Sequence, residues 1–196
     1  MTAPGMAFAL EIDGLAGPAS VMRFVAREAL SEGSTLEVEV GLSEPVDALS
    51  LIGKKASLRM SADRDATRYF HGVVLEADGS VRDADGRGSL RALVGARVLT
   101  LKHARDSRIF QKKSVQDIVQ AVLDGRGLGS MARWMNTRSP SVRAYVVQYD
   151  ETDWDFVRRL LQDEGIGFTV RHEESEDTVV FFDDDQGTAP MEGVET

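Results

Sequence analysis

Leu36, Val38, Val40 and Leu42 alternate with Glu37, Glu39 and Gly41. A strict period of two over seven residues fits a strand with one buried and one wet face, because successive side chains on a pleated backbone point to opposite sides. Shorter stretches repeat the pattern. Phe8, Leu10 and Ile12 alternate with Ala9 and Glu11, and Ala56, Leu58 and Met60 alternate with Lys55, Ser57 and Arg59. Tyr69–Leu75 and Ser89–Val94 supply two further strands, and Asp83-Ala84-Asp85-Gly86-Arg87-Gly88 between them offers Asp-Gly turn chemistry. A long antiparallel hairpin is predicted there. Leu49, Leu51 and Ile52, just before Gly53 and Lys54, read as a brief helical turn. Five or six short strands with no strong helix among them predict a small β-barrel or sandwich over residues 1–100.

The period changes after about residue 100. Ser114-Val115-Gln116-Asp117 resembles a capping box, and Val115, Ile118, Val119, Val122 and Leu123 follow at helical spacing, with Gly125 placed to stop the helix. Thr152-Asp153-Trp154-Asp155 opens a second helix with a cap and early acids. Its apolar stripe is Trp154, Val157, Leu160 and Leu161, Arg158 and Arg159 face outward, and Gly165 ends it. Strands flank that helix at Arg143–Tyr149, Gly167–Arg171 and Thr178–Phe182, while Gly125–Pro140 reads as a loop. Residues 101–196 are therefore expected to form an α+β part, separate from the β part before it.

Composition narrows the chemistry. The chain has no cysteine, which excludes disulfides and thiolate metal sites. With 32 acidic and 23 basic residues the net charge is -9, which argues against binding a phosphate backbone, so no nucleic-acid partner is expected. No apolar run approaches the roughly 20 residues of a membrane span. Met1–Ile12 lacks a basic leader and Glu11 interrupts its apolar stretch, so no secretory signal and a cytoplasmic place of assembly are expected.

No reacting constellation stands out. His71, His103 and His172 are the three histidines, and their spacing matches no metal-ligand motif, so neither metal nor cofactor is expected. The nucleophile-elbow pattern is absent. Gly125-Arg126-Gly127-Leu128-Gly129 follows a helix and lacks the lysine of a phosphate loop, which favours a flexible connection. Asp83, Asp85 and Gly86 lack the later ligands of a calcium loop, and Asp183-Asp184-Asp185 reads as a solvated run. Asp153, Asp155, Asp163 and Glu164 lie at the ends of one helix, where capping and dipole effects account for them. Trp134 and Trp154 read as packing residues. No catalytic residue is assigned, and the chain is read as a non-enzyme.

A family resemblance adds to this reading. Arg105-Asp106-Ser107-Arg108-Ile109-Phe110-Gln111, leading into Ser114–Val119, resembles a strand-to-helix pattern of the VgrG (type VI secretion spike) family. Tyr145–Leu161 followed by Glu164-Gly165-Ile166 looks like the same family's block of a strand, a capped helix and a turn. Phe70-His71-Gly72-Val73 and Ile52-Gly53-Lys54 match two more of its segments, in the expected order. The likeness extends to phage late control protein D and other contractile-tail hubs.

The resemblance implies a homotrimer whose protomers each supply two related barrel-like domains. Residues 1–100 would form the first and residues 101–196 a helix-containing, partial second. Such a ring adapts a sixfold tube of Hcp-like protein to a threefold spike, with baseplate or effector proteins as further partners. It is exported with the machine, and this portion does not itself insert into a membrane. Family members continue into an OB-like domain and a β-helical needle, so a chain ending at Thr196 is expected to hold the tube-facing base alone. An alternative is an adaptor that docks an effector through the segment Gly125–Pro140, with Arg126, Arg133 and Arg138 as contacts.

Overall fold

The structure, a computed structural model, describes residues 6–62, 66–80 and 88–184. Six strands carry the first part: β1 (Ala7–Ile12), β2 (Ala19–Arg27), β3 (Thr35–Leu42), β4 (Lys55–Ala62), β5 (Ala66–Ser80) and β6 (Gly88–Gly95). They form one sheet in the order β1-β4-β5-β6-β3-β2. The alternation in β3 is explained by burial, since Leu36, Val38, Val40 and Leu42 all face a core shared with Leu10, Leu58, Phe70, Leu90 and Val94. Each such side chain contributes about 1.5–3 kcal/mol of burial free energy. The edge strands β1 and β2 lie side by side, with Phe8 and Phe24 edge-on at 5.2 Å. Among the described residues side chains, rather than a ladder of backbone bonds, bridge this seam of a nearly closed barrel.

β5 and β6 pair antiparallel as predicted, from Val73↔Gly95 to Ser80↔Ser89. The turn at Asp83–Arg87 lies outside the described residues. The expected helical turn is a short 3-10 segment, Ala48–Leu51, capped by the Asp47 carboxylate on the Leu49 N–H. The sequence pattern does not announce β2. Its register slips between Val21 and Arg23, and a bulge there reverses which parity faces the core, so the alternation cancels along the strand.

The second part contains β7 (Arg105–Ser114), α1 (Val115–Gly125), β8 (Ala132–Met135), β9 (Val142–Thr152), α2 (Asp153–Glu164), β10 (Gly167–His172) and β11 (Asp177–Phe182). The capping box is present: Asp117 N–H donates to Ser114 Oγ and Ser114 N–H to Asp117 Oδ2, both at 3.1 Å. The Ser114 hydroxyl, first among the causes, holds the Asp117 carboxyl below its ordinary range. Thr152 caps α2 by accepting from Asp155 N–H at 3.0 Å. Both helices stop with a left-handed glycine and a backbone bond spanning five residues, Leu128 N–H to Leu123 O and Ile166 N–H to Leu161 O. In α1 that glycine is Gly127, not Gly125, which is still helical. The glycine-rich stretch is thus an ordered helix stop sealed by buried Leu128, and the expected flexible connection is corrected.

The predicted loop Gly125–Pro140 needs a further correction. It holds a 3-10 turn, Gly129–Met131, and the strand β8, which pairs in parallel with β11 from Val179↔Ala132 to Phe182↔Met135. β10, β11 and β8 form one sheet, and β7 and β9 a separate two-stranded ribbon. Four residues are too few to show a period, and the partner of β8 lies over forty residues away. Trp134 on β8 stacks on Phe181 at 4.2 Å, and its indole N–H donates to Gln120 Oε1 at 3.0 Å.

By backbone proximity the described residues fall into two compact units. One holds the chain up to Ala29, Gly33–Leu99 and Val170–Asp177; the other holds Leu30–Glu32, Thr100–Thr169 and the chain from Thr178.

Candidate functional site

Four places gather chemistry-bearing side chains, and each has a definite geometry. Two lie in the barrel unit. Phe70 on β5 packs flat against the His172 ring at 4.3 Å. His172 Nδ1 accepts the His71 N–H at 3.0 Å, and its Nε2 lies 2.8 Å from Ser34 Oγ. Because Nδ1 is an acceptor, the neutral ring carries its proton on Nε2 and donates it to the serine. A serine nucleophile needs the opposite polarity, with Nε2 free to take the hydroxyl proton. Ser34 is also buried, at 2% exposure. This Ser–His pair is a structural clamp, and the sequence did not foretell that two histidines 101 positions apart meet here.

Burial, first among the causes, pushes the His172 ring down to about 4; nearby Asp177 opposes the shift, while His71 and Arg68 add to it. A displacement from the ordinary 6.5 to about 4 corresponds to roughly 3 kcal/mol, at about 1.4 kcal/mol per pH unit. The unfolded chain binds a proton at this ring near pH 6.5, and the folded chain binds one only near 4, so stability falls as pH drops through that interval. The depressed carboxyls act further down. Asp183 is held at about 2, chiefly by the Thr137 N–H, and loses its contribution only as pH falls through that range. Urea titrations at pH 7 and pH 5 should show the loss in the natural chain and a flatter response in His172→Gln. Equal slopes for the two proteins would refute the assignment.

The second place is an open groove of about 390 Å³ lined by Glu11, Asp13, Lys55, Ser57, His71, Arg97 and the turn 174–177. Its most buried carboxylate, Asp177, is already occupied. Arg97 donates its backbone N–H to Asp177 Oδ2 at 2.8 Å and its Nε–H to Oδ1, and the same guanidinium reaches Glu176 at 3.1 Å. His71 Nε2 is within 2.8 Å of the Glu173 carbonyl. These contacts fasten segment 170–177 to the barrel and leave no carboxylate pair arranged as acid and base.

In the other unit, Asp153 at the first turn of α2 is fully buried and bonded to Arg108, to Arg126 Nε at 2.6 Å and to Gln148 Nε2 at 2.8 Å. Capping and the helix dipole do not account for this acid, contrary to expectation; it is the centre of a buried ion-pair node. Arg126, expected at a partner surface, is exposed and holds the buried Asp153 carboxylate with its guanidinium. Arg138 is similarly tied to Asp183, whose carboxylate accepts the Thr137 and Arg138 N–H groups at 2.8 and 2.9 Å. Arg133 is exposed on β8, with its guanidinium on the Ser130 and Ala132 carbonyls. The structure does not gather the three arginines around one site. Asp184 is described beside Asp183, and Asp185 lies outside the described residues. Among the described residues, no group of three or more His, Asp or Glu is placed to hold a metal ion.

The fourth place is the ribbon. Its inner face packs on α2, with Phe110 stacked on Phe156 at 5.7 Å. Its outer face pairs Ile109 with Val147, Gln111 with Tyr145 and Lys113 with Arg143. Ile109, Tyr145, Val147 and Tyr149 are exposed there, Tyr149 at 80%. Sequence reading missed this face, although the alternation of Val146 and Gln148 inward with Tyr145, Val147 and Tyr149 outward is visible once the strand is placed.

The phage tail baseplate hub (GPD) family matches residues 27–196. The type VI secretion system spike protein VgrG1c of Pseudomonas aeruginosa is 32% identical over 182 residues, which are 89% of this chain and 24% of that protein. A solved component of the E. coli type VI secretion system, described as similar to the T4 bacteriophage tail proteins gp27 and gp5, superposes with a TM-score of 0.83 at 25% identity. That alignment covers 92% of this chain and 50% of the other. A tail protein from Neisseria meningitidis shares the fold at a TM-score of 0.64 and 12% identity, over 90% of this chain and 50% of its own. The chain therefore spans about a quarter of the VgrG1c length and half of each solved chain.

Proposed function

The chain belongs to the phage tail baseplate hub family, and from that premise we propose that it is the structural base of a contractile injection machine. In this reading it adapts a sixfold tube to a trimeric spike. The observation that carries the reading is the family match through both units, together with the fold shared at a TM-score of 0.83 with a type VI secretion component. The residues of the recognised blocks have mechanical duties: Thr152 caps, Phe156 and Leu160 pack, and Gly165 turns the chain into β10. A part that transmits force needs a stiff interior, and no step of the reading requires a reacting group.

On this proposal the first unit is the first hub domain and the second unit begins the second one. The working state is a homotrimer, the tube protein is an Hcp-like ring, and baseplate or effector proteins dock alongside. The assembly forms in the cytoplasm and leaves with the machine. The test is a pull-down of the cognate tube protein, with native mass spectrometry of what is retained. Retention of tube rings by the trimer is the expected result, and failure to bind any tube ring would sink the hub reading. The adaptor reading keeps Arg126, Arg133 and Arg138 as contacts, all three exposed, with Arg126 and Arg138 each also holding a carboxylate of the same unit.

A further inference from the structure

The strand partner of β5 runs out before β5 does. β6 pairs with it from Ser80 back to Val73, opposite Gly95, and among the described residues no strand but β4 pairs with Ala66–Gly72. A ladder donor left open in this way must find another acceptor or face water. For the His71 N–H that acceptor is a side chain, since His172 Nδ1 takes it at 3.0 Å, in the role that a neighbouring strand's carbonyl would fill. The ring lies flat on buried Phe70, and its Nε2 meets the hydroxyl of Ser34, which is buried too.

An imidazole differs from a carbonyl in one respect. It can take a proton at the accepting atom, and two N–H groups then point at each other. The charges around the ring give that proton little help. On β5 stand Arg68, held by Glu28, and His71, whose own ring stacks on Tyr69 and bonds the Glu173 carbonyl. The acid that favours the proton is Asp177, and Arg97 already holds its carboxylate along with that of Glu176.

We propose that His172 is an acid-released latch: a proton at Nδ1 expels the ring from its place beside His71 and frees the His172 end of segment 170–177, while Arg97 keeps the other end on the barrel and the six-stranded sheet stays folded. Release leaves the Ala66–Gly72 edge of β5 open to another strand and loosens one wall of the groove that His71 and residues 174–177 line. The latch lies within one chain and does not depend on the hub reading. Its direction follows from where the proton binds. The closed ring stays neutral down to about pH 4 and a freed one titrates near 6.5, so closure is at full strength above 6.5 and weakens as pH falls toward 4. Each pH unit in that interval multiplies the opening constant by up to about tenfold.

The test follows backbone amide exchange by NMR in the full chain between pH 7 and pH 4, corrected for the intrinsic exchange rate. Protection of the His71 amide should fall by up to about tenfold per pH unit below 6.5, in step with protonation of the His172 ring read from its own nitrogen shifts. The amides of Val38 and Leu90, inside the sheet, should keep their protection over the same range. His172→Gln replaces the ring with an amide that accepts and donates without titrating, and should make the His71 amide indifferent to pH. A pH dependence that persists in that variant would place the proton elsewhere and remove the latch. If the His71 amide stays protected while the ring takes its proton, the bond does not respond and the latch is wrong. Val38 and Leu90 opening in parallel with His71 would show acid unfolding of the whole unit instead of release of one segment. The last two outcomes are read on the natural chain and stand whether or not the glutamine variant folds.

Discussion

A Gly72→Ala variant is expected to lose about 4 kcal/mol of stability, read as a fall in the urea midpoint with little change in slope. Gly72 lies in β5, paired with Ala56 of β4 on one side and running close to Gly95 of β6 on the other. A Cβ on Gly72 would sit 2.7 Å from the Gly95 carbonyl carbon, nearer still to its oxygen, and 3.1 Å from Val94 Cγ1. A flexible side chain could move aside, but a carbonyl inside a paired ladder cannot do so without breaking the sheet. Ordinary overpacking costs about 1–3 kcal/mol, and a backbone obstacle belongs at or beyond the top of that range. Gly125→Ala is the control. Its Cβ would meet nothing within 4 Å and the residue is helical, so alanine should be neutral or stabilising by up to about 1 kcal/mol. Similar losses in both variants would show that the close approach at Gly72 is not what matters.

Asp153→Ala should cost about 3 kcal/mol, several times what a helix-terminal acid is worth. Were Asp153 only an acid near the helix dipole, its removal would cost about 0.3–1 kcal/mol. Its carboxylate is instead fully buried between Arg108, Arg126 and Gln148, and deleting one member of a buried pair strands the charges left behind. The figure sits at the low end for such pairs because Arg108 and Arg126 are 25% and 35% exposed and regain some water. The check is a double-mutant cycle with Arg108→Met. The double variant should be markedly more stable than the sum of the single losses, and strict additivity would mean that no coupled node exists.

These residues also mark how far the sequence alone could be read. Elements with an unbroken period were legible, including β3, the stripe of α2 and the capping box at Ser114, because burial on one face writes itself into the order of residues. The bulge in β2 scrambled its parity, and β8 was too short to show any period. The candidate site was less legible. Asp153 looked like one of several helix-end acids, since nothing local says that Arg108 and Arg126 will converge on it. The meeting of His71 and His172 is likewise a product of topology. Arg126 and Arg138 lay in a segment that reads as loop, and the sequence does not announce the distant carboxylates, Asp153 and Asp183, that they hold.

The return of residues 170–177 to the barrel, fastened by Arg97 and His172, bears on how the protein is made. A ribosome releases the strands of the barrel early, yet the last piece of that unit emerges only after the whole of α2 and β9. Until then, Ser34 lacks its imidazole partner and Arg97 its carboxylates. Contacts closed over such long stretches of chain form slowly. The nascent barrel must therefore wait, incomplete, through much of synthesis, which makes this interval the one in which a chaperone or a translational pause would most affect yield.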